Sequence, residues 1–282
     1  MIVWHPPWTR GSLFRSVWGN SPFGSPLFSP LSLFANGEQG AWYDPSDLTT
    51  LYQDSAGTTP VAADGDPVGL MLDKSGNGNH ASQSVAASRP IYRTAAGLHW
   101  LEPDGVDDSL ITPAVDLSPY TKLTASFGLR KLSDAQGVSP VMMSGVAGNT
   151  ADGFSLYAPH SASGRKAAWS LGGSSQRFRA IDAFPAPISI VQSALFDNAA
   201  VSLADAIIPR VNGSEVIPTE NVSGSASGNG FLNVSLRLFV QEGTASFSPN
   251  PFYGGVLVTG HLSVNGLSVL ERYLAVKSGV TL

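Results

Sequence analysis

The sequence predicts an all-β fold, a β-sandwich or barrel with one C-terminal α-helix, preceded by an extended N-terminal arm. From about residue 41, short apolar runs alternate with clusters of Gly, Asn, Asp, Ser and Pro, which is typical of many short strands joined by turns. The chain also has 30 glycines and 20 prolines, whereas only 13% of its residues are charged. We place the arm at residues 1–39 and the β domain at residues 40–282.

The arm combines prolines with aromatic side chains. Prolines at positions 6, 7, 22, 26 and 30 oppose a regular helix or a central strand. A disordered tail is normally poor in aromatics, and aromatics carry much of the energy at protein interfaces. The arm is therefore predicted to dock on other subunits, with packing on its own domain as the alternative. The residues predicted to dock are Trp4, Trp8, Phe14, Trp18, Phe23, Phe28 and Phe34.

The strands are predicted from period-two alternation and from turn signals. Apolar residues alternate from Leu123 to Leu129, so one face of this segment is predicted to be buried. The Asn212-Gly213 pair predicts a tight hairpin. Further strands are predicted within 67–73, 99–112, 140–146, 153–159, 166–173, 188–197, 234–243 and 252–260.

One helix is predicted near the C-terminus. Ser263 is a suitable N-cap, and leucines recur on one side at positions 267, 270 and 274. Lys277 in the last turn suits the helix dipole, and Gly279 stands where a helix commonly stops.

Composition and charge exclude several classes of function. The net charge of -5 argues against a nucleic-acid partner, since sequence-independent binding needs a basic face. No apolar run is long enough to predict membrane insertion, and the first residues lack the features of a secretion signal. The absence of cysteine excludes disulfides, cysteine metal sites and a catalytic thiol.

Three stretches together resemble a known domain family. They are GAWYDPSDLTTLYQDSAGTTPVAADGDPVGLMLDKSGNGNHASQ (40–83), LEPDGVDDSLIT (101–112) and YGGVLVTGHLSVNGLSVLERYLAVKSGVTL (253–282). This combination is similar to the concanavalin A-like, or laminin G-like, jelly-roll domains of bacteriophage tail and other virion proteins. The chain departs from the family at Gly266, where members often carry Glu, so the capping box is missing and a weaker helix start is expected.

The resemblance implies two antiparallel sheets packed face to face, and it implies a setting. In tail fibre and baseplate proteins of this kind, a short N-terminal segment attaches to the particle and a β domain faces outward. We therefore expect a virion protein, made in the host cytoplasm, whose arm docks to other tail or baseplate subunits and whose jelly roll binds a host-surface glycan or receptor. By analogy with tail fibres, a homotrimer is expected. A purely structural decoration subunit is the main alternative.

The segment 101–112 carries a cluster of carboxylates. Related jelly-roll glycanases arrange carboxylates as E-x-D-x-x-E along one strand, and Glu102, Asp104 and Asp107 match this pattern only in part. Pro103 and Gly105 would interrupt such a strand. The favoured interpretation is a turn whose carboxylates bond to backbone amides, and a Ca²⁺ site is the second. The candidate metal ligands are Asp104, Asp107 and Asp108.

No cofactor other than Ca²⁺ is suggested, and no nucleophile–base pair is recognisable. The five histidines lack zinc-site spacing, and no G-x-S-x-G elbow is present, so we expect no enzymatic activity and rank a glycan depolymerase as the less favoured alternative. Glycan binding would use aromatic side chains beside polar groups, in the less patterned middle of the chain. The candidate ligand-binding residues there are Tyr157, His160, Arg165 and Trp169.

Overall fold

Two antiparallel β-sheets packed face to face form the body of the protein, which confirms the all-β sandwich. The computed structural model describes residues 28–135, 137–145, 152–160, 166–241 and 246–282. The strands in these residues are β1 Gly40–Tyr43, β2 Leu51–Tyr52, β3 Leu70–Met71, β4 Ala81–Ser82, β5 Ile91–Ala95, β6 Leu98–Glu102, β7 Leu110–Asp116, β8 Lys122–Lys131, β9 Val138–Ser144, β10 Phe154–His160, β11 Ala167–Leu171, β12 Arg177–Ile181, β13 Ile188–Asp197, β14 Ile207–Val211, β15 Ser214–Glu215, β16 Glu220–Val222, β17 Asn233–Leu238 and β18 Phe252–Thr259.

The order of the strands shows that most neighbours in space are distant in sequence. One sheet runs β15-β14-β13-β8-β18-β6-β5, with β1 also paired to β18. The other sheet runs β16-β12-β11-β10-β9-β17-β7-β4-β3-β2. Pairing β18 with both β8 and β1 brings the C-terminal strand into the middle of the first sheet, so the two ends of the domain lie side by side.

The main core lies between the sheets and follows the predicted alternation. On β8, the residues from Leu123 to Leu129 that were predicted to be buried do face the core. The Asn212-Gly213 hairpin joins β14 to β15, with both residues at positive φ as a tight turn of this type requires. Strands β1, β2, β4, β5, β12 and β16 had not been predicted, because segments of two to five residues are too short to show a clear period.

The helical elements are α1 Leu203–Ala206, α2 Val264–Ser278 and single 3₁₀ turns at Pro30–Phe34, Leu48–Thr50 and Ala86–Ser88. The α2 helix confirms the predicted C-terminal helix. The Ser263 hydroxyl accepts a hydrogen bond from the Gly266 amide at 3.2 Å, and Gly279 ends the helix in the left-handed region at φ 68°. Among the described residues, no helix has the length and apolarity that crossing a membrane requires.

The α2 helix covers the outer face of the first sheet. Leu270 and Leu274 pack with Val256 and Val258 of β18 in a second apolar cluster, which also contains Trp42. A Cβ at Gly128 of β8 would lie 3.3 Å from the Leu274 carbonyl oxygen, so the helix approaches the sheet closely. One outer face of the sandwich is therefore closed by the chain's own C-terminal helix.

The end of the arm belongs to this same cluster. Phe34 is buried in it, and the Phe28 ring lies edge-on to Tyr273 of α2 with centroids 6.2 Å apart. Because the Phe34 side chain is covered by the chain itself, it is not available to a partner subunit, and for this residue self-packing replaces the predicted docking. The remaining predicted docking residues, Trp4, Trp8, Phe14, Trp18 and Phe23, lie outside the described residues.

Candidate functional site

The predicted ligand-binding residue Trp169 lies in the core between the sheets. It pairs with Leu156 across β10 and β11, and both side chains face inwards, where Trp169 is 0% exposed. Because neighbouring residues on a strand point to opposite faces, Trp169 cannot share a surface with Tyr157, which pairs with Ala168. The prediction that Trp169 contacts a ligand is therefore wrong: its aromatic ring fills the core.

Tyr157 and His160 do come together, on the outer face of the second sheet. Their rings lie 4.7 Å apart, and the His160 ring lies 4.9 Å from that of Phe178. Tyr157 is only 2% exposed, and this burial raises the pKa of its hydroxyl. The Tyr157 ring therefore does not offer the open stacking surface that was predicted, and only His160 of this pair is partly exposed. Arg165 lies outside the described residues.

The carboxylates of 104–108 form a closed turn. The Asp104 carboxylate accepts hydrogen bonds from the amides of Val106 at 2.8 Å and Asp107 at 3.2 Å, while Asp108 accepts one from the Asp104 amide at 2.9 Å. Strand β6 ends at Glu102, so the three carboxylates of the partial glycanase pattern do not lie along one strand. The favoured interpretation, a turn stabilised by backbone amides, matches this geometry.

The same turn brings three carboxylates close together. Oxygen atoms of Asp104, Asp107 and Asp108 lie within 4.8 Å of one another. Burial, together with the charges of Asp104 and Asp107, raises the pKa of Asp108 to about 6. Carboxylate oxygens in a loop are the donors that Ca²⁺ prefers, so the predicted Ca²⁺ site remains a prediction for these residues.

Residues in two of the stretches that carry the family resemblance, 40–83 and 253–282, fasten α2 to the sandwich. Asp44 accepts hydrogen bonds from the Tyr273 hydroxyl at 2.9 Å and from Lys277 Nζ at 3.0 Å, and Lys74 Nζ lies 3.5 Å from the same carboxylate. Burial opposes ionisation of Asp44, but hydrogen bonds from Ser46 and the charge of Lys277 outweigh it and hold its pKa below the usual value.

The Gly-rich segment 73–80 has the same structural role. The buried Asp73 carboxylate accepts from the backbone amides of Trp42 at 2.9 Å, Ser75 at 2.8 Å and Asn79 at 3.0 Å. These bonds connect the loop to β1. The segment is thus a tight structural loop. Because the Asp73 carboxylate already accepts several hydrogen bonds within the chain, it has little capacity left to bind a metal or a sugar.

A cleft of 460 Å³ lies where the end of the arm meets the end of β18. The backbone of Gln39 bonds in both directions with Thr259: its amide donates to Thr259 Oγ1 at 3.0 Å, and its carbonyl accepts from the Thr259 amide at 2.9 Å. Gly260 follows with φ 87°, which turns the chain away from the strand towards α2. The arm end therefore forms one wall of the cleft, and the link between β18 and α2 forms the other.

The cleft is lined by both apolar and polar residues. Leu33 and Leu262 contribute the apolar surface, and Tyr120, which is partly exposed, adds an aromatic ring. On the arm side, the Glu38 carboxylate accepts from the Asn36 amide at 2.9 Å and from Asn36 Nδ2 at 3.0 Å. These hydrogen bonds lower the pKa of Glu38, so its carboxylate is charged at neutral pH.

The histidine of the cleft has a defined tautomer. His261 Nε2 lies 2.9 Å from the carbonyl oxygen of Phe196. Because a carbonyl oxygen only accepts hydrogen bonds, Nε2 carries the proton, and in the neutral ring Nδ1 is then an acceptor. The cleft lining therefore supplies a carboxylate, an imidazole acceptor, hydroxyl groups and an aromatic ring.

Sequence reasoning did not predict this cleft. Its residues come from three separate segments, around 33–38, 120 and 259–262, and none of them forms a motif. Only the pairing of β1 with β18 brings the arm end beside residues 259–262. The one available signal was the unexplained His261 directly after the predicted strand 252–260.

No protein family model matches the chain, and no curated protein sequence matches it. Solved structures do match. The chain resembles the botulinum neurotoxin serotype D ligand-binding domain in complex with N-acetylneuraminic acid, with 9% identity, a TM-score of 0.52 and coverage of 72% of this chain and 48% of that one. It also resembles the binding domain of botulinum neurotoxin DC in complex with rat synaptotagmin II, with 12% identity, a TM-score of 0.51 and coverage of 72% and 49%.

A further match is the receptor-binding domain of botulinum neurotoxin D, with 10% identity, a TM-score of 0.52 and coverage of 72% of this chain and 50% of that one. At these identities the likeness shows a shared fold. The chain spans about half the length of these binding domains.

Proposed function

We propose that this protein is a non-enzymatic bacteriophage virion subunit, associated with the tail or baseplate, whose jelly roll binds a glycan or receptor on the host surface. The observation that carries the proposal is the cleft between the arm end and β18. Its volume of 460 Å³ falls within the range of small-ligand sites, and an aromatic ring beside a few polar groups is the usual composition of such sites.

The shared fold supports a binding role. Neurotoxin binding domains of the same fold have been crystallised with a sugar acid and with a protein receptor. In this chain, among the described residues, the carboxylates of the partial glycanase pattern are engaged in a turn and in an ion pair, because Glu102 lies 2.6 Å from Arg93. This arrangement supports binding without catalysis.

The placement in a virion rests on the arm and on the family resemblance. Residues 1–39 carry many aromatic side chains and almost no charge, which suits an anchor to other tail or baseplate subunits. Tail fibres of similar construction are trimers, and we propose the same state here. The protein would be made in the host cytoplasm and function outside it, on the particle.

A structural decoration subunit is the second candidate. The closure of one outer face by α2, and the near-complete burial of Tyr157 and Phe178 on the other, leave few aromatic rings open to a ligand among the described residues. Such a subunit would contact only other virion proteins and would not bind host cells.

The test is binding of the fluorescently labelled full chain to a panel of bacterial strains, with purified surface polysaccharide as competitor. Saturable binding that is abolished by the polysaccharide supports a glycan receptor. Saturable binding that is abolished by protease treatment of the cells supports a protein receptor. Release of reducing ends from the polysaccharide, assayed in parallel, would instead indicate a depolymerase. A folded protein that binds none of the strains would refute the receptor-binding role and favour the structural subunit.

A further inference from the structure

We infer that the cleft between the arm end and β18 selects neutral or amino-bearing saccharides and rejects saccharides that carry a carboxylate. This inference rests on the proposed glycan-binding function and adds to it a location and a charge preference.

Three polar side chains of the lining, Asn36, Glu38 and His261, present acceptor atoms. One N–H of the Asn36 side-chain amide donates to Glu38, and its Oδ1 can accept from a ligand. His261 donates through Nε2 to the Phe196 carbonyl, which leaves Nδ1 as an acceptor in the neutral ring. The Glu38 carboxylate can only accept. Such a set recognises donors, and the donors that saccharides present are hydroxyl, amide and ammonium groups.

The charge of the cleft agrees with this preference. Glu38 is the charged side chain in the described lining, and no Lys or Arg stands with it there. The nearest lysine in sequence is Lys122, whose carbonyl accepts from the Gly260 amide and whose Nζ lies 3.5 Å from Asp197. A ligand carboxylate would therefore meet a like charge without a cation to offset it, and like charges at close range repel.

The Tyr120 ring supplies the apolar contact that a sugar needs. Its backbone is fixed on both sides, because its amide donates to the Leu117 carbonyl at 3.1 Å and its carbonyl accepts from the Phe231 amide at 2.9 Å. Tyr120 lines the cleft together with Leu33 and Leu262, and its ring is the aromatic group there that can contact the C–H groups of a pyranose while the acceptors of the lining engage its hydroxyls.

The experiment separates the host polysaccharide that blocks cell binding into neutral, basic and acidic fractions by anion and cation exchange. Each fraction is titrated calorimetrically into the full chain and into three variants: Tyr120→Ala, Glu38→Gln and the control Glu215→Gln. Glu215 is an exposed carboxylate on the edge strand β15, four strands from β18 in the same sheet. Tyr120→Leu, which removes the ring but keeps an apolar side chain, with thermal unfolding of every variant, keeps the test valid if the alanine variant does not fold.

We expect the neutral or basic fraction to bind and the acidic fraction not to bind. Tyr120→Ala should weaken binding by about tenfold or more, and Glu38→Gln should weaken the basic fraction most while admitting the acidic one. Binding by the acidic fraction, or affinities unchanged in both cleft variants, would overturn the inference and leave glycan binding itself standing. Cell binding blocked only by protease treatment would overturn the inference in favour of a protein receptor. If the full chain binds no cells, both proposals fail.

Discussion

The ion pair between Arg210 of β14 and Glu271 of α2 is expected to be the strongest single polar link between helix and sandwich. Arg210 Nε donates to Glu271 Oε1 at 2.9 Å and Nη2 donates to Oε2 at 2.8 Å, so the pair is bidentate. The Glu271 side chain is 0% exposed. If Arg210 is replaced by Met, this carboxylate remains buried without its cation.

Removing one partner of a buried pair costs about 3–5 kcal/mol, because the remaining charge is neither solvated nor paired. This is a large share of the roughly 5–15 kcal/mol by which a typical domain is stable. We therefore expect Arg210→Met to lower the free energy of unfolding by about 3 kcal/mol or more. The double variant Arg210→Met/Glu271→Leu should recover most of the loss, since two apolar side chains of similar volume replace the pair.

The assay is equilibrium denaturation in urea at pH 7, with the two single variants and the double variant compared to the unmodified chain. The exposed pair of Arg93 with Glu102 is the matched control, because each side chain is more than a third exposed and such pairs contribute little. A loss below about 1 kcal/mol for Arg210→Met, similar to that for Arg93→Met, would refute the reasoning that burial makes this pair decisive.

Three further predictions concern other sites. Asp44 has a lowered pKa in the folded state, so its contribution to folding stability is complete above its unfolded pKa of about 3.9 and is lost as the pH falls through its folded pKa. In thermal unfolding, the difference in stability between the unmodified chain and Asp44→Asn should therefore be largest at neutral pH and should shrink below about pH 4. Asp108 has a raised pKa of about 6 in the folded state, so the free energy of unfolding falls as the pH rises between about 4 and 6. Asp108→Asn should remove this pH dependence and stabilise the protein by about 1–2 kcal/mol at pH 8, and an unchanged pH profile of stability would contradict the prediction. Gly255→Ala should lower the free energy of unfolding by about 1–3 kcal/mol or more, because the new Cβ would lie 1.9 Å from Phe127 Cδ1. The control Gly137→Ala, whose added Cβ meets nothing within 4 Å, should leave stability unchanged in the same denaturation assay.

The sequence by itself determined the fold class and the C-terminal helix. Alternation from Leu123 to Leu129 identified one of the two strands that pair at the centre of the first sheet, because period-two burial is a property of the strand and needs no knowledge of its partners. Ser263 and Gly279 marked the limits of α2 for the same reason, since capping depends on neighbouring residues only. The carboxylate turn at 104–108 was likewise a local pattern.

The tertiary structure decided which residues form a surface. Tyr157 and Trp169 seemed equivalent in sequence, but the register of β10 with β11 sends them to opposite faces and buries Trp169 in the core. Phe34 was grouped with an arm for docking, yet it packs beneath α2, a helix more than two hundred residues away in the chain. The cleft depends on Glu38, Tyr120 and His261 meeting through the pairing of β18 with both β1 and β8. Contacts between distant segments follow from sheet order, which a local pattern of apolar and polar residues does not encode.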